Sequence, residues 1–275
     1  MGLPTSFFLP GAKGNLFAMY YPPADSAENV EDVLYVHPFA AEMFASRNVI
    51  SALCRALARC GVGVLTVDLY GCGDSSGEFG EARWEIWRED LRMAVRWLHE
   101  RGSERLSLWG LRLGALQVMD FAAQSRDTYE RLVLWQPVVS GEAMLTQFLH
   151  MNAEETYGGN GITRLTDPAQ RKLLSAGQTI EVAGFELGTE LIRSMDRERL
   201  APLGKLVRAP IHWMEIGSGD SMQAESLSVI RQWQDSAVEV STYKVSGVPF
   251  WFSAHSMDAA PLVPHLRKMF GVADE

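Results

Sequence analysis

Short apolar runs recur along the chain, most of them nearly continuous and each followed by turn residues. The inner runs lie at 33–36, 62–67, 106–109, 132–135, 211–216 and 238–245. Runs of this length with little alternation suit strands buried on both faces of a parallel sheet. Two earlier runs, 7–9 and 16–21, are closed by Pro22 and Pro23 and predict an antiparallel pair ahead of the rest. The segments between follow a helical period. In 43–60, Ile50, Leu53, Leu57 and Cys60 recur at three- and four-residue spacing, while Arg47, Arg55 and Arg59 take other faces. In 81–99, Trp84, Trp87, Leu91, Val95 and Leu98 do the same. Further helices are predicted over 113–124, 224–235 and 259–270.

Strands alternating with helices on this scale predict an α/β domain with a mainly parallel, eight-stranded sheet and helices on both faces. The rhythm stops between Val139 and Lys205. That stretch holds 146–151, a glycine-rich turn at 158–161, and predicted helices near 167–175 and 186–199. It reads as a helical cap, 139–205, inserted into a core made of 1–138 and 206–275.

Composition narrows the function classes. Of 275 residues 47% are hydrophobic, enough for a sizeable core. The 25 basic residues form no cluster and are outnumbered by 34 acidic ones, which argues against a general nucleic-acid or anionic-membrane binder. No apolar run reaches the roughly 18 residues of a membrane span, and the first ten residues lack a secretory pattern. The three cysteines, Cys54, Cys60 and Cys72, form no CxxC pair or zinc spacing. Reduced thiols in a cytoplasmic protein, with no metal and no cofactor, are the expectation.

The most informative string is Leu106-Ser107-Leu108-Trp109-Gly110-Leu111-Arg112-Leu113-Gly114-Ala115. A predicted strand enters a predicted helix through Gly-x-X-x-Gly, the form of the nucleophile elbow of the α/β-hydrolase fold. Residue 112 is where a serine would attack, and it is arginine. A guanidinium stays protonated and has no lone pair to offer a carbonyl. An acyl-enzyme through this residue is excluded.

The remaining positions of such a site can be assigned from the same pattern. Oxyanion donors would be the N–H of Leu113 and, because Pro38 has none, that of Phe39 or Ala40. Asp220, after the strand 211–216 and a glycine turn, takes the place of the triad acid; Glu215 is an alternative buried partner for Arg112. The last strand is followed by Val245-Ser246-Gly247-Val248-Pro249-Phe250-Trp251, where a histidine is wanted, and His255 is the nearest one. His37 ends a strand and could shape the Phe39 loop. In Asp68-Leu69-Tyr70-Gly71-Cys72-Gly73-Asp74-Ser75-Ser76-Gly77, Cys72 or Ser75 could replace the nucleophile, although the glycines and aspartates also read as a structural turn.

The strings VHPFAAEMFASR (36–47), DLYGCGDSSGEFG (68–80), LWGLRLGAL (108–116), LVLWQPVVSGEAMLTQFL (132–149) and VSGVPFW (245–251) resemble the exosortase A system-associated hydrolase 2 family. The resemblance implies that arginine in the elbow and Pro-Phe-Trp after the last strand are family features. It also implies a bacterial setting of exopolysaccharide synthesis and PEP-CTERM protein sorting. Three functions stay open. One is a protein binding a small anionic or acyl ligand, or a very weak hydrolase, using Arg112, Leu113, Phe39, Ala40 and Asp220. Another is a pseudo-enzyme that partners the exopolysaccharide or sorting machinery, with Arg112 turned inward to Asp220, Glu42 or Glu215. The third is a hydrolase with a relocated nucleophile.

Overall fold

The computed structural model describes residues 2–24, 31–155, 167–252 and 258–272. In chain order its strands are β1 (Thr5–Pro10), β2 (Asn15–Tyr21), β3 (Glu31–Val36), β4 (Val62–Val67), β5 (Arg105–Leu111), β6 (Leu132–Trp135), β7 (Ile180–Val182), β8 (Phe185–Leu187), β9 (Ile211–Ile216) and β10 (Val240–Val245). Eight of them form one sheet in the order β1-β2-β4-β3-β5-β6-β9-β10. Pairing is antiparallel from β1 to β2 and from β2 to β4, and parallel across the rest. The early pair and the parallel core follow the apolar pattern closely.

Helices α1 (Ala41–Arg59), α2 (Trp84–Glu100), α3 (Leu113–Gln124), α4 (Gly141–Glu155), α5 (Asp167–Ser175), α6 (Thr189–Met195), α7 (Ala224–Gln234) and α8 (Val263–Met269) complete the described chain. Alternate residues of the central strands feed two cores, as a two-faced sheet requires. On β3, Leu34 and Val36 face the core that α2, α3 and α7 share; Val33 and Tyr35 face that of α1 and α8. Gly114, at the start of α3, lets that helix lie close on β3, and the small Ala115 follows it.

The stretch between β6 and β9 departs from expectation at one place. A single helix over 186–199 is predicted, but 185–187 is strand, and α6 begins only at Thr189. β7 and β8 form a hairpin whose two-residue turn, Ala183 (φ 50°) and Gly184 (φ 80°), has both residues left-handed, as a type I′ turn does. The missed signal is the alternation Ile180-Glu181-Val182 and Phe185-Glu186-Leu187 around Ala-Gly. The glycine-rich 158–161 lies outside the described residues. Met144, Leu145, Phe148, Leu149, Leu174, Val182, Leu187, Leu191 and Met195 of this stretch belong to the same apolar core as α2 and α3. No helix among the described residues is long and apolar enough to cross a membrane.

Candidate functional site

Arg112 stands between β5 and α3 with φ 56° and ψ −118°, a left-handed backbone that a bulky residue adopts only under constraint. The constraint is visible. Its N–H donates to the Trp135 carbonyl at 2.9 Å, tying the turn to β6. A Cβ on Gly110 would strike the Gly114 carbonyl and lie 2.5 Å from the Ala115 nitrogen. Gly114 is needed for a different reason: its Cβ would strike the Val36 carbonyl and lie 2.5 Å from that of His37. The elbow is therefore pressed against the end of β3. Ala40, leading into α1, has nearly the same backbone (φ 49°, ψ −122°). Among the described residues no acceptor is set against the N–H groups of Phe39, Ala40 or Leu113.

The Arg112 side chain is buried at 9% exposure. Its Nε donates to Glu42 Oε1 at 3.1 Å; Nη2 donates to Gln147 Oε1 and lies 3.8 Å from Met144 Sδ. The guanidinium carbon is 5.7 Å from the Trp251 ring centre and 5.5 Å from that of Phe252, within cation–π range. Glu42, in the first turn of α1, is 2% exposed, and its Oε2 has no partner among the described residues. Burial pushes its carboxyl up to about 7, against the opposing pull of Arg112.

Arg112 also lines a cavity of about 650 Å³, bounded by Pro137, Val138 and Val139, by α4 from Ala143 to His150, and by Gln223 and Glu225 at the start of α7. Phe39, Ala40 and Leu113 line another, of about 20 Å³, with His37 and Cys72. The five residues expected to share one ligand site are thus not brought together. Phe39, Ala40 and Leu113 line the small cavity, while the long arginine side chain lines the larger one with α4.

Asp220 is exposed in the turn after β9 and joins neither cavity. Glu215 is buried, but its Oε2 accepts the Gln223 N–H at 2.9 Å, so it caps the chain entering α7 instead of pairing with Arg112. Of the three inward partners considered for Arg112, Glu42 is the one in contact. Phe250 and Trp251 are buried, and His255 lies outside the described residues. Partners absent from the sequence reading are Gln147, Met144, Trp251 and Phe252. The aromatic run Phe250-Trp251-Phe252 after Pro249 was a signal, since an arginine in an apolar site seeks ring faces.

The Asp68 turn is built as structure. Asp68 accepts from Arg47 at 2.7 Å and from the Asp74 N–H at 3.1 Å. The Ser75 hydroxyl donates to the Asp68 carbonyl at 2.5 Å and accepts the Phe17 N–H at 2.8 Å, which secures β2. Burial, with Asp68 and Asp90 adding to it, pushes the Cys72 thiol up, away from thiolate. His37 lies 3.7 Å from Asp68, yet burial holds its pKa down to about 4, so it is neutral at ordinary pH. Neither Cys72 nor Ser75 lines the Arg112 cavity. Ser75→Ala should cost about 1–3 kcal/mol, because the Phe17 N–H loses its acceptor. A thermal melt unchanged by this substitution would contradict the structural assignment. Among the described residues no group of three or more His, Cys, Asp or Glu could hold a metal ion.

A mainly parallel eight-stranded sheet in this order, with a strained strand–turn–helix after its central strand, defines the α/β-hydrolase fold. The chain belongs to the serine aminopeptidase, S33, family, whose model matches residues 36–173, half of its length. No curated protein sequence matches it. Among solved structures it is similar to Est1E from Butyrivibrio proteoclasticus with bound ferulic acid, at 16% identity and TM-score 0.67, over 96% of this chain and 97% of that one. A proline iminopeptidase from Mycobacterium smegmatis aligns at 14% identity and TM-score 0.61, over 98% and 100% of the two chains. An α/β serine hydrolase homologue from Coxiella burnetii aligns at 16% identity and TM-score 0.60, over 98% and 97%. At such identities the likeness is one of fold.

Proposed function

We propose that this member of a serine hydrolase family binds a small carboxylate or acyl ligand and does not form an acyl-enzyme. Arg112 stands in the nucleophile's place and serves as the anchor for the ligand's anionic end. One observation carries the reading: a buried guanidinium, pinned on one edge by Glu42 and Gln147, also lines a cavity of about 650 Å³. Among the described residues no acceptor is set against its Nη1, which leaves donors for a ligand. Pro137, Val138, Val139, Ala143 and Met144 offer an apolar wall for the rest of the molecule. In this reading the described residues of 139–205, α4 foremost, form the cap over this cavity. Est1E holds ferulic acid, a carboxylic acid, on the same fold. The resemblance of the elbow and Pro-Phe-Trp strings supports reading the ligand as one from a cytoplasmic step of exopolysaccharide synthesis or protein sorting.

Titration of the protein with benzoate and ferulate, monitored by calorimetry, tests the reading. Saturable binding is expected, and Arg112→Met should weaken it at least tenfold. A fluorophosphonate probe should label no serine. Labelling of any serine with accompanying ester hydrolysis would overturn the proposal. The buried Arg112–Glu42 pair favours a second reading, a pseudo-enzyme scaffold in which Arg112 is a plug. Failure of every carboxylate to bind would select it.

A further inference from the structure

We infer that a carboxylate bound at Arg112 enters together with a proton, which Glu42 takes, so that the site receives a carboxylic acid without changing its net charge. The inference rests on Arg112 as the anion anchor and adds the ionic state in which the ligand is held.

Of the described residues lining the 650 Å³ cavity, Arg112 is the only lysine or arginine, and Glu142 and Glu225 line it too. Arg112 is already neutralised by Glu42, and both side chains are nearly inaccessible to water. A second carboxylate on the same guanidinium would place two anions against one cation that is itself buried. Two carboxylates that share a buried site do not both stay ionised; one keeps a proton.

Glu42 is the group placed to do so. Its Oε1 accepts from Arg112 Nε, while its Oε2 is buried and has no partner among the described residues. The new O–H bond forms on Oε2 as the proton's bond to hydronium or to the buffer acid breaks, and no bond within the protein or the ligand is broken. Few described groups compete. From β3 the Tyr35 phenol approaches Glu42, and burial keeps it protonated. On its own helix the Ser46 hydroxyl donates to the Glu42 carbonyl, and Arg47 is engaged by Asp68 and Asp74. α4 brings Gln147 and Met144 to Arg112, and the last loop brings Trp251 and Phe252. In the cavity itself Glu142 is paired with Arg199. His150 is the histidine among the described lining residues, and so the other side chain there to test as the proton's acceptor. A Glu42 carboxyl already raised to about 7 needs only a modest further push.

Benzoate, fully ionised above pH 6, is the probe. Calorimetry at pH 8 in HEPES and in Tris, whose ionisation enthalpies differ, counts the protons bound. Close to one proton per benzoate is expected. Affinity should be level below about pH 7 and then fall about tenfold per pH unit, the slope for one coupled proton. Glu42→Gln should abolish the uptake, remove the pH dependence and bind benzoate at least tenfold more tightly at pH 8. His150→Gln should keep the uptake. Benzoate binding without proton uptake overturns this inference alone, as does uptake that survives Glu42→Gln and disappears in His150→Gln. No binding at any pH overturns both this inference and the anchor reading. The proton count on the unmodified protein decides the matter even where Glu42→Gln fails to fold.

Discussion

Arg112→Met is expected to destabilise the protein by an amount that grows with pH. Burial raises the Glu42 carboxyl from its ordinary 4.5 to about 7 in the folded state. An acid raised in this way binds its proton more tightly folded than unfolded. Its contribution is therefore fully present below the unfolded value and is lost as pH rises towards the folded one. With Arg112 in place that loss is complete a little above pH 7. Methionine removes the cation that opposes the rise, so the folded carboxyl climbs further and the loss continues at about 1.4 kcal/mol per pH unit. The difference between the two proteins should be small near pH 6. By pH 9 it should reach about 3 kcal/mol, two units at that slope and the lower end of the range for breaking a buried ion pair from one side. Urea unfolding at unit steps from pH 6 to pH 9 measures it. A difference that stays level across those steps would show that Glu42 does not depend on Arg112.

Much of this arrangement can be read from the residues, because it is local. Nearly continuous apolar runs gave the parallel strands, since burial on both faces leaves no polar alternation. Gly110 and Gly114 marked the elbow, and the chemistry of arginine removed an acyl-enzyme through residue 112. What was not legible is non-local or directional. The partners of Arg112 lie 70 residues back, at Glu42, and 35 residues on, at Gln147. No periodicity reports such pairings. A residue's place after a strand also does not fix where its loop points: Asp220 falls in solvent, and Glu215 turns to the Gln223 N–H. The hairpin of β7 and β8 was hidden by its size, because three-residue strands give too little alternation to outweigh the helix that follows.

The elbow's second glycine carries the other large expected effect. Gly114→Ala should cost about 3 kcal/mol or more, at the upper end of overpacking. The new methyl group would meet the backbone carbonyls of Val36 and His37, so no side-chain rotation can relieve it. β3 cannot retreat either, being paired with β4 on one side and β5 on the other. Gly219→Ala is the matched control, since its methyl would meet nothing within 4 Å, and a surface change of this kind falls within about 0.5 kcal/mol. The strain in Gly114→Ala would be transmitted along His37 to Ala40 into the first turn of α1, which holds Glu42. Loss of stability should therefore come with weaker benzoate binding in the fraction that folds, although no residue touching Arg112 has changed. Equal melting temperatures for the two glycine variants would mean that the elbow is not pressed against β3. The tight elbow would then have no bearing on where Arg112 is held. If they differ as expected, the packing that would present a serine in a hydrolase here aims a cation at Glu42 and the cavity.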